Sequence, residues 1–306
     1  MANVTVQDIK ALMTATGVGM MDCKKALVEA DGDADKAVLI LREKGLATQA
    51  KKSGRVAAEG IVTSVVEGNV GAVVEVNIET DFAANNEEFK AFVANVAKTV
   101  IEKNPADLEE LKKAQISGGS CSVEEALQEL FLKIRENMSI RRFERLEGIL
   151  VPYVHGGGSI GVMVKLESDI APDNSELLAC GKDCALQVAA MNPSYLDKSM
   201  VPDSALEEER KILLAQMAED PKMASKPEQV KAKIVDGKIG KYYSENCLLQ
   251  QTFVKDGDFT VEKYVESVAK KLGGSIKVAA FVRFERGEGI EKKKDDFADE
   301  VASMIK

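Results

Sequence analysis

Apolar residues in the first fifty positions recur at helical spacing. Thr5 and Asp8 form a capping box ahead of Ile9, Leu12 and Met13, which share a face, and Gly17 stops the run. A second helix follows Gly19, burying Cys23, Ala26 and Leu27, and ends at Asp31-Gly32. A third starts behind Asp33, buries Ala37, Ile40 and Leu41, and ends before Gly45. The pattern therefore predicts a small three-helix bundle, with the polar stretch from Thr48 to Arg55 as its linker.

The period then switches to two. Ile61 to Val66 and Ala72 to Ile78 flank Glu67-Gly68-Asn69, which predicts a hairpin. Asn86 opens a helix whose apolar face is Phe89, Phe92, Val93, Val96 and Val100, ending at Asn104-Pro105. Ser122 and Glu125 cap another helix reaching about Asn137, after which strand patterning returns. Residues 60–83 align without gaps to 148–171, with nine of 24 positions identical, so a hairpin unit is duplicated and the core is two related α+β halves. The tips correspond as well, Glu79-Thr80-Asp81-Phe82-Ala83 against Glu167-Ser168-Asp169-Ile170-Ala171. RFERLEGI at 142–149 recurs as RFERGEGI at 283–290, which returns a late strand, Ser275 to Glu285, to the core sheets.

Between these lies a charged helical texture. Ser204 with Glu207, and Ser225 with Glu228, are expected to cap two helices with narrow apolar stripes, Leu206, Leu213 and Met217 on one and Val230 and Ile234 on the other. A terminal amphipathic helix would place Phe297, Val301 and Ile305 on one face.

Composition narrows the function. A net charge of −9 repels phosphate backbones, and the basic clusters Lys51-Lys52-Arg55 and Arg141-Arg142 make no footprint, so nucleic acid is not expected as a partner. No apolar run approaches the ~20 residues that span a bilayer, so no membrane association is expected. Five scattered cysteines and an N-terminus without a secretory pattern fit a reducing cytoplasm.

The most enzyme-like text is His155-Gly156-Gly157-Gly158 running into Ser159 and Gly161, which imitates an esterase oxyanion loop and nucleophile elbow. An elbow needs strand, turn, then helix, whereas Ser159 leads into the strand Val162-Met163-Val164, and the single histidine cannot fill two roles. A hairpin loop is the better reading, and no enzymatic chemistry is expected. Cys180 and Cys184, one helical turn apart without further ligands nearby, are read as core packing; no metal or other cofactor is implied. Two features remain. Met20-Met21 beside Gly17 and Gly19 is either a partner-contacting knob or one buried and one exposed side chain. Phe82 at a strand exit, taken by itself, reads as a core aromatic, since single aromatics at strand ends usually pack inward.

These stretches also carry a resemblance. TGVGMMDCKKAL (16–27) and EVNIETDFAANNEEF (75–89) resemble the two signatures of the bacterial elongation factor Ts family, guanine-nucleotide exchange factors for elongation factor Tu. ENMSIRRF and FVRFERGEGIEKKKDDFADEV extend the likeness over essentially the whole chain. The resemblance implies an α+β protein with a ubiquitin-associated-like domain and linker at 1–55, core subdomains at 56–147 and 148–286, a dimerisation hairpin inserted at about 200–250, and a C-terminal helical module at 287–306. It implies that Thr80, Asp81, Phe82 and Ala83 disturb the Mg²⁺ site of elongation factor Tu, and that Met20, Met21, His155 and Phe297 contact the same partner. Under that reading Phe82 is an exposed tip. The chain departs from the family pattern at Ala83-Ala84-Asn85, where valine, alanine and a basic residue are usual. It departs again at Met13, where arginine is common, and at Val18, where alanine is usual. The alternative reading is a non-catalytic adaptor that binds protein through the N-terminal bundle.

Overall fold

The structure, a computed structural model, describes residues 4–291, so the helix expected around Phe297 lies outside the described residues. Three helices open it, α1 Val6–Thr16, α2 Met20–Glu29 and α3 Ala34–Lys52. The Thr5–Asp8 capping box forms, and Gly17 ends α1 in the left-handed region. Ile9, Leu12, Cys23, Ala26, Leu27, Ala37 and Leu41 make the bundle core, with Met13 and Ile40 half-buried at its edge.

Gly45 does not stop α3. The helix runs through it to Lys52, so the first part of the stretch expected as a linker, Thr48 to Lys52, is helical. A Cβ at Gly45 would stand 2.2 Å from the Leu132 side chain, so this glycine permits a close helix–helix approach.

The hairpin β1 Glu59–Glu67 and β2 Val70–Ile78 turns on Gly68-Asn69. After a single turn, α4 Asp81–Ala84, come α5 Glu87–Lys103, α6 Leu108–Lys113, α7 Val123–Ile134 and β3 Met138–Glu147. The short α6 has no counterpart in the sequence reading. The second half repeats the plan with β4 Ile149–His155, β5 Ile160–Ser168 and α8 Ser175–Met191. Next come α9 Asp203–Glu219, α10 Pro221–Ala224, α11 Glu228–Asn246 and α12 Val261–Leu272, and β6 Ile276–Glu285 returns to the sheet. Each half is an antiparallel three-stranded sheet, in the orders β1-β2-β3 and β4-β5-β6.

The duplication extends beyond the aligned hairpins. Asn86 and Asn174 both cap their helices by accepting from amides two and three residues on, and Asn104 and Asn192 both end them at positive φ, 49° and 44°. Gly60 and Gly148 hold φ of 132° and 131° at equivalent strand starts. Helices α5 and α7 cover one sheet, α8 and α12 the other, and the inner faces meet through Val62, Val73, Leu150, Met163 and Phe284. Order through the core is thus helix, sheet, sheet, helix.

The repeated RFER motif is used in two registers. Phe143 lies opposite Val74, whereas Arg283, not Phe284, lies opposite the equivalent Val162. One residue of slip sends the two phenylalanines to opposite faces, Phe143 to the helical core and Phe284 between the sheets. There the Arg142 guanidinium sits 4.2 Å from the Phe284 ring centre, so one copy of the motif stacks on the other.

The inserted hairpin packs on Leu213, Met217, Val235 and Ile239, while Val230, expected inside, is exposed. Neither expected serine cap forms. Pro202 and Pro227 precede the first helical residues, their carbonyls accept the first helical bonds, and Ser204 falls within the first turn. Each helix thus starts behind a proline in the N-cap position, without a side-chain cap.

Glu75 joins the halves. Its fully buried carboxylate accepts from Arg141 Nη1 (3.0 Å), Arg142 Nε (2.6 Å), Asn77 Nδ2 (3.1 Å) and the amide of Gly287 beyond β6 (2.8 Å). Burial pushes its pKa up, but the Gly287 amide, Asn77 and the two arginines outweigh that and hold it below the ordinary value. The stabilisation is therefore complete above the unfolded glutamate pKa and is lost as pH falls through the lower folded one. Urea titrations from pH 7 to 3 should show Glu75→Gln destabilised by about 3 kcal/mol or more at neutral pH, the gap to the parent closing on acidification. A gap independent of pH would refute this role.

Candidate functional site

The chain leaves β2 at Glu79-Thr80 and closes into α4 before α5 begins. Thr80 caps α4, its hydroxyl accepting from the Ala83 amide at 3.2 Å, and Asn85 Nδ2 donates back to the Asp81 carbonyl at 3.0 Å. Ala83 and Ala84 are buried in the first helical core, so small side chains let this turn sit directly on it. The same geometry turns Phe82 outward, leaving it 87% exposed beside an exposed Asp81. The inward-packing reading of Phe82 is therefore corrected. In a single turn anchored by Ala83 and Ala84, Phe82 falls on the opposite side.

The duplicate tip is built differently. Asp169 accepts from the Ser275 amide at 2.6 Å, Ser168 Oγ donates to the Ser275 carbonyl at 2.6 Å, and Ile170 is half-buried against the second core. Those bonds to Ser275 hold the Asp169 pKa below its ordinary value. One tip is tied down, the other presents an aromatic.

Met20 and Met21 begin α2 behind Gly19 and are 50% and 64% exposed, so the reading with one of the pair buried is overturned. Cys23, Ala26 and Leu27 take the inward face of this helix instead.

The connection from α7 to β3 touches both features, and sequence reasoning missed it. Glu136 accepts from the Thr80 amide (3.0 Å) and hydroxyl (2.8 Å), and the Asn137 amide donates to Glu79 (2.5 Å). Arg135 pairs with Asp22 on α2, and its carbonyl accepts from Lys52 (2.5 Å). The only signal was a polar Arg-Glu-Asn run where a helix gives way to a strand.

His155 stands apart, exposed at the end of β4, with Tyr153 Oη 2.9 Å from its Nδ1. The loop that follows meets the first half where the Gly158 carbonyl accepts from Val62 at 2.8 Å. Ser159 Oγ donates to the His155 carbonyl at 3.0 Å and the chain enters β5 at once, without the strand–turn–helix geometry of a nucleophile elbow. Cys180 and Cys184 are buried in the second core. Among the described residues, no group of three or more His, Cys, Asp or Glu is placed to hold a metal ion, and no helix is long and apolar enough to cross a membrane.

Comparison with known proteins places this geometry. A family model described as elongation factor TS matches residues 79–288. The elongation factor Ts of Clostridium kluyveri is 50% identical over 309 residues, covering 99% of each chain. That of Clostridium tetani is 48% identical over 309 residues, again covering 99% of each. That of Clostridium perfringens is 48% identical over 306 residues, covering 98% of this chain and 99% of the relative.

Exposure sets an expectation for stability. Phe82→Ala should leave the unfolding free energy within about 0.5 kcal/mol of the parent, whereas Phe89→Ala, in the core behind it, should cost about 3–5 kcal/mol. Equal losses in a urea titration would contradict the outward placement of Phe82.

Proposed function

The chain belongs to the elongation factor Ts family, and from that premise we propose that it binds elongation factor Tu in its GDP-bound form and drives GDP off. On this reading it remains bound to the nucleotide-free partner until GTP displaces it. The observation that carries the reading is Phe82, a large apolar side chain held out in water on a turn whose two alanines, Ala83 and Ala84, are buried. Transfer of that side chain from water into another protein's surface is favourable.

A GTPase holds GDP through backbone amides, a lysine and Mg²⁺, so release requires several of these to be lost together. Phe82, inserted between partner helices, would shift the groups that order Mg²⁺. Thr80 and Ala83 hold the turn, and Asp81 sets a negative charge beside those groups. The factor breaks no bond and needs no cofactor. Its effect is reciprocal: the factor by which it weakens GDP binding is the factor by which GDP weakens its own binding. Burial of one phenylalanine contributes about 1.5–3 kcal/mol, roughly ten- to hundredfold, so other contacts must share the task. Met20 and Met21 suit that role, since flexible, polarizable side chains adapt to a partner's surface. His155 is assigned to the same partner, and Phe297 would belong with it.

The inserted hairpin is proposed as a self-association module. Its own core is narrow, and Ile212, Leu214 and Val230 remain exposed on it. Replacing residues 204–245 by a short glycine-rich linker should leave a folded monomer, and a dimer that persists in sedimentation would refute this assignment.

At saturating factor, Phe82→Ala should slow GDP release from elongation factor Tu by about tenfold or more, with a smaller change in complex formation. An unchanged release rate would sink the wedge. An adaptor would bind elongation factor Tu without accelerating release, so the same assay separates the two readings.

A further inference from the structure

The three residues between α7 and β3 each reach outside their own neighbourhood. Arg135 holds α2 through Asp22, and among the described residues this is the ion pair that ties α2 to the core. The Arg135 backbone, at φ 63°, turns its carbonyl to Lys52 at the end of α3. Glu136 takes both the amide and the hydroxyl of Thr80 at the root of the tip. Asn137 holds Glu79 by its backbone amide, while its side-chain amide donates to the carbonyls of Arg55 (2.7 Å) and Ser53 (3.3 Å).

Bonds this near the surface contribute little to overall stability. What they determine is placement. Met20 and Met21 stand two positions and one position before Asp22, and Phe82 stands two beyond Thr80. Two exposed apolar features, one on the bundle and one on the first core half, therefore hang from neighbouring residues of one short connection. A second contact held at a fixed spacing from the first is made at high effective concentration, without paying again to order the chain.

We infer that Arg135-Glu136-Asn137 is a positioning bracket that holds the Met20–Met21 pair and the Phe82 tip at one spacing, so that a single protein surface meets both at once. The inference rests on the proposed reading for the identity of that surface, but not for the bracket itself. None of the three residues needs to touch the partner. Loss of the Glu136 side should leave the knob engaged and misplace the tip; loss of the Asp22 side should do the reverse.

The test uses the full chain with 4-fluorophenylalanine at position 82. Glu136→Ala should shift and narrow the fluorine resonance in the free protein, and Glu136→Gln, which keeps one acceptor oxygen, should restore it in part. With elongation factor Tu, Glu136→Ala should lower the maximal GDP-release rate about fivefold or more while the half-saturating concentration moves less than about twofold. Asp22→Asn should show the opposite split, and it keeps the test in hand should Glu136→Ala fail to fold. An unmoved fluorine resonance in folded Glu136→Ala overturns the bracket whatever the rates do. A moved resonance with unchanged release, where Phe82→Ala does slow release, overturns the claim that placement matters. If Phe82→Ala itself leaves release untouched while the resonance moves, the bracket is supported and the exchange reading is the one that fails.

Discussion

A three-stranded sheet has two faces to cover and, in each half of this chain, one helical layer with which to cover them. The second face of each sheet is closed by the other sheet, through Val62, Val73, Leu150, Met163 and Phe284. That contact makes the duplication structurally obligatory, because neither half has a closed core without its copy. It also explains why a carboxylate is tolerated at full burial. Glu75 is met there by two arginines from its own sheet and a backbone amide from the segment after β6, so its charge is shared by both halves.

Duplication left two tips at equivalent strand exits, and they are built differently. Asp169 and Ile170 are fastened to the start of β6, where they serve the fold. Thr80 to Ala83 form a turn whose alanines serve the fold and whose aromatic does not. That aromatic, set out in water beside a carboxylate on a rigid base, is the feature on which the proposed action on elongation factor Tu rests. The methionine pair has the same character on a different element, and the α7–β3 connection relates the two.

Much of this was legible along the chain. Capping boxes at Thr5 and Ser122, the Asn86 cap and the hairpin with its repeat are local signals, and each formed where its residues stood, the turn closing on Gly68-Asn69 with Glu67 still in the strand. The errors share a cause. Gly45 resembles a helix stop until Leu132, far away in sequence, is seen to occupy the space a side chain would need. Ser204 and Ser225 resemble caps until the prolines before the helices start them elsewhere.

Most of the elements, the duplication and the family are legible along the chain, because periodicity, caps and motifs are properties of neighbouring residues. Residue chemistry alone left open which side of its turn Phe82 takes and whether Met20 and Met21 both stay exposed, and tertiary packing settled both. It alone also decided that the two RFER copies face opposite ways and that Arg135, Glu136 and Asn137 join α2 to the tip. Those outcomes depend on what already occupies the core from distant parts of the chain, and no local pattern records that.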